Sequence, residues 1–233
     1  MESSPIMNQF FLLNNIPINT NMISNNLNLQ NNVNDSKNKE NLGIRRLTNF
    51  EFNKNVNIYE DENYEFKQFV INSEKDIYAR VRQNMKYFSA FLNSNEGILY
   101  FGINDFGVIK GIDLTSDLKR SFELELEHII DSYDEHIKKN NNITYIFHEV
   151  TNVDETKLDE NKKKYVIEIY IKVGLPDHIY TTPFKEDETD DYGCYIKLNG
   201  TVKKIAGEHL FYYTKNKIMK YVKSLADKKN AQN

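Results

Sequence analysis

Among the thirty-four carboxylates of this chain, three stand out by position. Glu65 sits in the aromatic-rich run Tyr64-Glu65-Phe66-Lys67-Gln68-Phe69-Val70, where a solvated carboxylate is out of place. Asp105 tips the turn Asn104-Asp105-Phe106-Gly107, which follows the most apolar stretch of the sequence, and strand ends are where sheets present functional groups. Glu60 precedes Glu65 by five residues, which on an uninterrupted strand would point the two side chains to opposite faces. A bend within residues 61–63 must intervene if they are to meet. Three converging carboxylates are tolerable only when protonated or when a cation neutralises them, and hard oxygen ligands select Mg²⁺ or Mn²⁺. Such an ion would hold a phosphate oxygen and activate a water for attack at phosphorus. Lys67 alternates onto the face of Glu65, to pair with the carboxylate or to meet a substrate phosphate as a point charge. The plainer alternative gives Glu60 and Glu65 ordinary surface ion pairs and leaves Asp105 to shape its turn.

A matching basic surface is drawn from Arg80, Arg82 and Lys86 on an early helix and from Lys197, Lys203 and Lys204 on a late hairpin. Lysine and arginine grip phosphates without regard to sequence and lose that grip in salt. Tyr192 and Tyr195 interleave with this group and would stack on unpaired bases, unless they pack into the core. For the lysines the alternative is a solvated strand face. The formal charge of −4 rules out a uniformly basic exterior, so any polyanion must meet a local patch.

The elements that position these residues follow from hydrophobic periodicity and turn chemistry. Residues 64–70 suit a strand. Ile77, Val81, Met85, Phe88 and Leu92 recur at helical spacing, predicting one helix over 73–93. The nearly continuous apolar run 97–103 predicts a central strand covered on both faces. After the Asn104–Gly107 turn, residues 108–112 return as its hairpin partner. Thr115 or Ser116 caps a long helix to about residue 139; strands follow at 144–150 and 165–173, joined by a charged loop over 151–164. The stretch 174–191, with Pro176 and Pro183, reads as an irregular crossing. Asn199-Gly200 marks a hairpin within 193–205, and 210–226 closes the domain as an amphipathic helix with Tyr213, Ile218, Tyr221 and Leu225. The predicted class is α+β: a mixed, mainly antiparallel sheet with flanking helices.

Composition sets the outer limits. With 233 residues and 39% hydrophobic content the chain supports one sizeable core. Residues 1–57 are dominated by Asn and read as a disordered, low-complexity tail, or as a partner-binding arm through 6–16 or Gly43-Ile44-Arg45-Arg46-Leu47. The domain is then 58–226, with a flexible end over 227–233. A lone thiol, Cys194, closes no disulfide within the chain, and one Cys with five scattered His gives no zinc-ligand spacing, so no zinc is expected. Cys194 reads as packed and His178 as exposed. There is no P-loop and no Gly-x-Ser-x-Gly elbow. No apolar run approaches the roughly 20 residues of a membrane span, and the first residues lack a basic flank before Phe10-Phe11-Leu12-Leu13. These features predict a soluble protein of the cytoplasm, with the nucleus as second option, and no membrane partner.

Glu65-Phe66-Lys67-Gln68, followed by Ser89-Ala90-Phe91-Leu92-Asn93-Ser94-Asn95-Glu96-Gly97-Ile98-Leu99-Tyr100-Phe101-Gly102-Ile103-Asn104-Asp105, resembles the core of the Schlafen family's AlbA-2 domain. Tyr195-Ile196-Lys197-Leu198-Asn199-Gly200-Thr201 resembles its closing hairpin, and Ala206-Gly207-Glu208-His209-Leu210 the helix start after it. The likeness covers about 58–226. It implies a divalent-metal-dependent endoribonuclease acting on tRNA or rRNA, with Glu60, Glu65 and Asp105 matching the three acidic ligands and Lys67 the active-site lysine. Two-lobed nucleases of that family form a basic trough and carry a Cys/His zinc site; this chain has one lobe and no such cluster. A homodimer, or a hetero-oligomer with other Schlafen-like lobes, is the implied replacement. The same domain also serves DNA-binding regulators, so a non-catalytic nucleic-acid-binding module, or a scaffold subunit of another nuclease, stays open as the alternative.

Overall fold

The computed structural model describes residues 44–133, 135–154, 161–184 and 192–230. In chain order these form β1 (Tyr64–Lys67), α1 (Glu74–Gln83), α2 (Met85–Asn93), β2 (Gly97–Phe101), β3 (Ile112–Leu114), α3 (Ser116–Ser132), α4 (Glu135–Lys139), β4 (Ile143–Glu149), β5 (Lys163–Ile171), β6 (Cys194–Leu198), β7 (Thr201–Ile205) and α5 (Gly207–Asn230). The class is the one expected. β5 is the spine of a five-stranded sheet: β2 runs antiparallel along its residues 167–171, β3 continues on the same edge at Tyr165, and β4 occupies the other edge. β1 joins β2 in parallel, with Glu65 beside Leu99 and Lys67 beside Phe101. A parallel pair needs a long crossover, and α1 and α2 supply it. β6 and β7 pair as a separate hairpin.

All five residues of β2 are buried, as its apolar run predicts. One face of the sheet, through Leu99, Phe101, Ile167 and Ile169, packs under Val81, Phe88, Phe122 and Leu126 of the helices. The other face, through Phe66, Ile98, Tyr100 and Val166, is covered by Leu47 and Phe50 of a strap over residues 44–58. Thr115 caps its helix as expected, accepting from the Leu118 amide, and Ser73 caps α1 by accepting from the Asp76 amide.

Four expectations need correction. Residues 44–57, assigned to a tail by composition, are ordered, because Leu47 and Phe50 bury against the sheet and Arg46 reaches into it; the rest of the proposed tail, 1–43, lies outside the described residues. The single helix over 73–93 breaks at Asn84, whose side-chain amide donates to the Arg80 carbonyl at 2.7 Å and ends α1. The long helix to residue 139 likewise divides after Ser132, where Tyr133 takes an extended conformation. The return strand at 108–112 is reduced to bridges, from Val108 to Asn55 and from Ile109 to Ile103. Gly102 and Gly111, both at positive φ, redirect the chain so that β3 pairs with β5 instead. A Cβ on Gly102 would stand 2.9 Å from the Tyr165 carbonyl, so the turn requires glycine.

At the C-terminus α5 runs to Asn230, so 227–230 continue the helix, and 231–233 lie outside the described residues. Parts of the two predicted loops, 155–160 and 185–191, also lie outside them. Among the described residues no helix is long and apolar enough to cross a membrane.

Candidate active site

The bend required between Glu60 and Glu65 is present. The Asp61 carboxylate accepts from the amides of Asn63 at 2.7 Å and Tyr64 at 3.0 Å, an Asx turn that folds the chain back just before β1. Glu60 is thereby returned to the start of the strand, where its Oε1 accepts from the Phe66 amide at 2.8 Å and from Lys67 Nζ at 3.2 Å. Lys67 Nζ also meets Glu65 Oε1 at 2.6 Å, donates to the Phe66 carbonyl and sits 5.1 Å from the centre of the Tyr87 ring. One ammonium therefore joins both glutamates.

Glu65 has a second cation. Its Oε2 accepts from Lys197 Nζ at 2.8 Å, and that ammonium, fully enclosed, also donates to the Tyr64 carbonyl and lies 4.8 Å from the Phe91 ring centre. The β6–β7 hairpin is held in place for this contact by polar residues of α2 and its end. Ser89 accepts from the Tyr195 amide, Asn93 donates to the Tyr195 carbonyl, and Ser94 accepts from the Lys197 amide. The turn residue Gly200, at positive φ, rests on the Asp61 backbone, where an added Cβ would lie 3.4 Å from its Cα.

Electrostatics follow from this geometry. Burial alone would raise the Glu65 pKa, but hydrogen bonds from Lys197 and Lys67 outweigh it and hold the carboxyl below its ordinary range. Burial would lower Lys67, yet Glu65, then Tyr87 and Glu60, keep it above the usual lysine value. Burial and the Glu65 charge push the Tyr87 hydroxyl up to about 12. Two glutamates and two lysines thus form a balanced cluster, with Glu65 buried and the Glu60 side chain 29% exposed at its edge.

Asp105 is placed differently. It is exposed at the tip of its turn, which Asn104 shapes by accepting from the Phe106 and Val108 amides. That turn is tied to the strap leading into Glu60: Asn55 donates to the Phe106 carbonyl at 2.7 Å and the Val56 amide to the Gly107 carbonyl at 2.9 Å. Glu60 and Glu65 are joined through Lys67, whereas Asp105 shares no hydrogen bond or ion pair with either among the described residues. Among the described residues no three His, Cys, Asp or Glu side chains gather to hold one ion. In kind, the donors fit a magnesium-class ion, being hard carboxylate oxygens, and each Glu65 oxygen keeps a second lone pair beyond its lysine.

The predicted basic surface is largely dispersed. Lys197 is buried against Glu65 and cannot face a polyanion. Arg82 pairs with Glu125 at 3.0 Å between the rings of Tyr78 and Phe184. Lys86 is half-buried, 5.4 Å from the Tyr87 ring centre. Arg80, Lys203 and Lys204 are exposed. Tyr195 is buried and Tyr192 exposed, Cys194 is buried as expected, and His178 is exposed beside Asp177.

A second buried carboxylate escaped the sequence reading. Glu168 of β5 accepts from Arg46 at 2.6 Å, lies 3.1 Å from His148 Nε2 and 3.4 Å from the Tyr100 hydroxyl. Its signal was an acidic residue inside Val166-Ile167-Glu168-Ile169, the same signal that singled out Glu65.

Among curated proteins none matches the chain. The family model described as Schlafen, AlbA_2 matches residues 60–206, more than half of the sequence. That segment starts at Glu60 and takes in Glu65, Lys67, Asp105 and the whole β6–β7 hairpin. The match carries a nucleic-acid-related, Schlafen-like function, and the chain belongs to the Schlafen AlbA_2 family.

Proposed function

We propose that the protein is an endoribonuclease that cuts structured RNA, such as tRNA or rRNA, at Glu60, Glu65 and Asp105 with Mg²⁺ or Mn²⁺. The observation that carries this reading is the buried, ionised Glu65 clamped by Lys67 and Lys197 beside the half-exposed Glu60. A bound divalent ion would polarise the scissile phosphate and lower the pKa of a water, with these three carboxylates as its holders. Lys197 fixes the rotamer of Glu65 and keeps its carboxyl charged. Lys67, reachable from solvent on one side, stands between Glu65 and Glu60 and offers its ammonium to a phosphate oxygen. The Asx turn at Asp61 sets the position of Glu60. A homodimer or a hetero-oligomer of Schlafen-like lobes would supply the opposite wall for an RNA substrate.

A second reading, a nucleic-acid-binding or scaffold module without catalysis, is favoured by one feature. The charges of Glu60 and Glu65 are already balanced by Lys67 and Lys197. The two readings separate on a gel. The full chain is incubated with total tRNA and rRNA in Mn²⁺ or in EDTA, alongside Glu60→Ala and Asp105→Asn. Discrete fragments only from the wild type with metal are expected. Fragments undiminished in Glu60→Ala would overturn the proposal, and intact RNA throughout, with RNA still bound, would select the second reading.

A further inference from the structure

The chain is acidic overall, yet its charge is segregated. From Lys203 to Asn230 it has eight lysines against two carboxylates, Glu208 and Asp227, so the remainder is more acidic than the net −4 of the whole. No residue of α5 is buried, and every position from Met219 to Asn230 is exposed. The helix is moored near its start, where the Tyr213 hydroxyl donates to the Asn93 carbonyl at 2.6 Å and Lys217 Nζ to the His178 carbonyl at 2.8 Å. Lys215 between those moorings, and Lys220, Lys223, Lys228 and Lys229 beyond them, face solvent with no ion pair among the described residues. Uncompensated cations on one helix repel one another, and that repulsion is relieved by a dense anion.

We propose that this tract, the β7 strand and α5, is the surface on which the protein holds the phosphate backbone of single-stranded nucleic acid. The balance of eight lysines against two carboxylates favours a polyanion over a second apolar helix. Along one row of the helix, at four-residue steps, stand Phe211, Lys215, Met219 and Lys223. On this row Lys215 separates Phe211 from Met219, while Ile218, Tyr221, Val222 and Leu225 form an apolar stripe beside it. The alternation along the row suits a strand that offers phosphates and base faces in turn. Phe211 and Tyr212, 48% and 58% exposed with ring centres 5.7 Å apart, supply stacking surface near the moored end. The tract is continuous with the candidate active site, because the hairpin turn that precedes it rests on Asp61, next to Glu60. The identity of the polyanion rests on the nucleic-acid reading; the binding does not require cleavage.

The test measures fluorescence anisotropy of a labelled single-stranded RNA with the full chain in EDTA, so that loss of cleavage and loss of binding are distinguishable. Lys215→Gln/Lys220→Gln/Lys223→Gln is compared with Lys54→Gln/Lys138→Gln/Lys139→Gln, three exposed lysines elsewhere. Gln has nearly the helix propensity of Lys, and circular dichroism checks that α5 persists. The helix variant is expected to bind about 10-fold more weakly near 0.1 M salt, with the slope of log affinity against log salt reduced by about 2, as three lost phosphate contacts on a single strand require. The control variant should stay within about 2-fold. Equal affinity and slope in both variants would overturn the proposal. So would a helix variant that binds RNA normally but no longer sediments with phosphatidylserine vesicles, since that assigns the tract to a membrane surface.

Discussion

Glu65 and Glu168 are both buried in the same sheet, on opposite faces, and they are neutralised in different ways. Their neighbours on β2, Leu99 and Tyr100, are adjacent residues and so point to opposite sides. Glu65 is held by two ammonium groups on the helix-covered face, beside a second, partly exposed carboxylate that shares one of them. Glu168 is held by a guanidinium, an imidazole and a phenol on the strap-covered face, and Phe50 stacks on His148 at 4.4 Å to close it over. Lysines act as point charges and leave lone pairs open, whereas the Arg46 cluster spends its donors on fastening the strap. The one buried charge thus keeps a partly exposed carboxylate at its side, while the other fastens a strap to the sheet.

The sharpest way to break this contrast is to neutralise each glutamate and measure RNA cleavage. Glu65→Gln should lower it by about 100-fold or more, the scale of losing a group that acts on the reacting proton or phosphate. Glu168→Gln should leave cleavage within about 3-fold while lowering stability, because a positioned hydrogen bond to a charged group is worth about 1.5–3 kcal/mol. Equal losses of activity would erase the distinction.

Removing the cations comes next. Lys197→Met removes a fully buried cation and leaves Glu65 with Lys67 alone, which should cost about 1.5–3 kcal/mol in urea unfolding. Arg46→Met, whose side chain is 43% exposed and whose partner keeps His148 and Tyr100, should cost about 1–2 kcal/mol. Both glutamates have pKa values below the ordinary carboxylate range; in each, burial opposes the shift, and Lys197 with Lys67 outweighs it for Glu65, as His148 with Arg46 does for Glu168. A depressed carboxyl contributes stability above its unfolded pKa, about 4.3, and that contribution is lost as pH falls through the folded value. Acid unfolding followed by circular dichroism should therefore begin at higher pH in Lys197→Met, since Glu65 then keeps one cation against its burial. The smallest effect is expected of Tyr87→Phe, which removes a hydroxyl beside Glu65 and Lys67 and should cost about 1 kcal/mol.

Much of the candidate site was legible because local chemistry enforces it. An Asx turn at Asp61, a carboxylate in an aromatic strand and an Asn-Gly hairpin are all written within a few residues of where they act. Lys197 was misread because β6 is buried on both faces, which breaks the alternation that would put a strand lysine in solvent. Its partner lies 132 residues away, beyond the reach of periodicity. The strap was misread for a similar reason: Leu47 and Phe50 are sparse apolar residues among polar ones, and only the groove over Tyr100 gives them a place. The break at Asn84 shows the opposite limit, where one side-chain hydrogen bond overrides an intact helical pattern.

The separation between Glu65 and Lys197 also sets an order on synthesis. Strand β1 emerges from the ribosome with Glu65 and Lys67, but the lysine that completes the clamp is made 132 residues later, a wait on the order of 10 s at roughly 5–20 residues per second. A nascent or truncated chain that ends before β6 carries the acidic motif without its second cation, so the cluster matures only when the hairpin has been translated and docked.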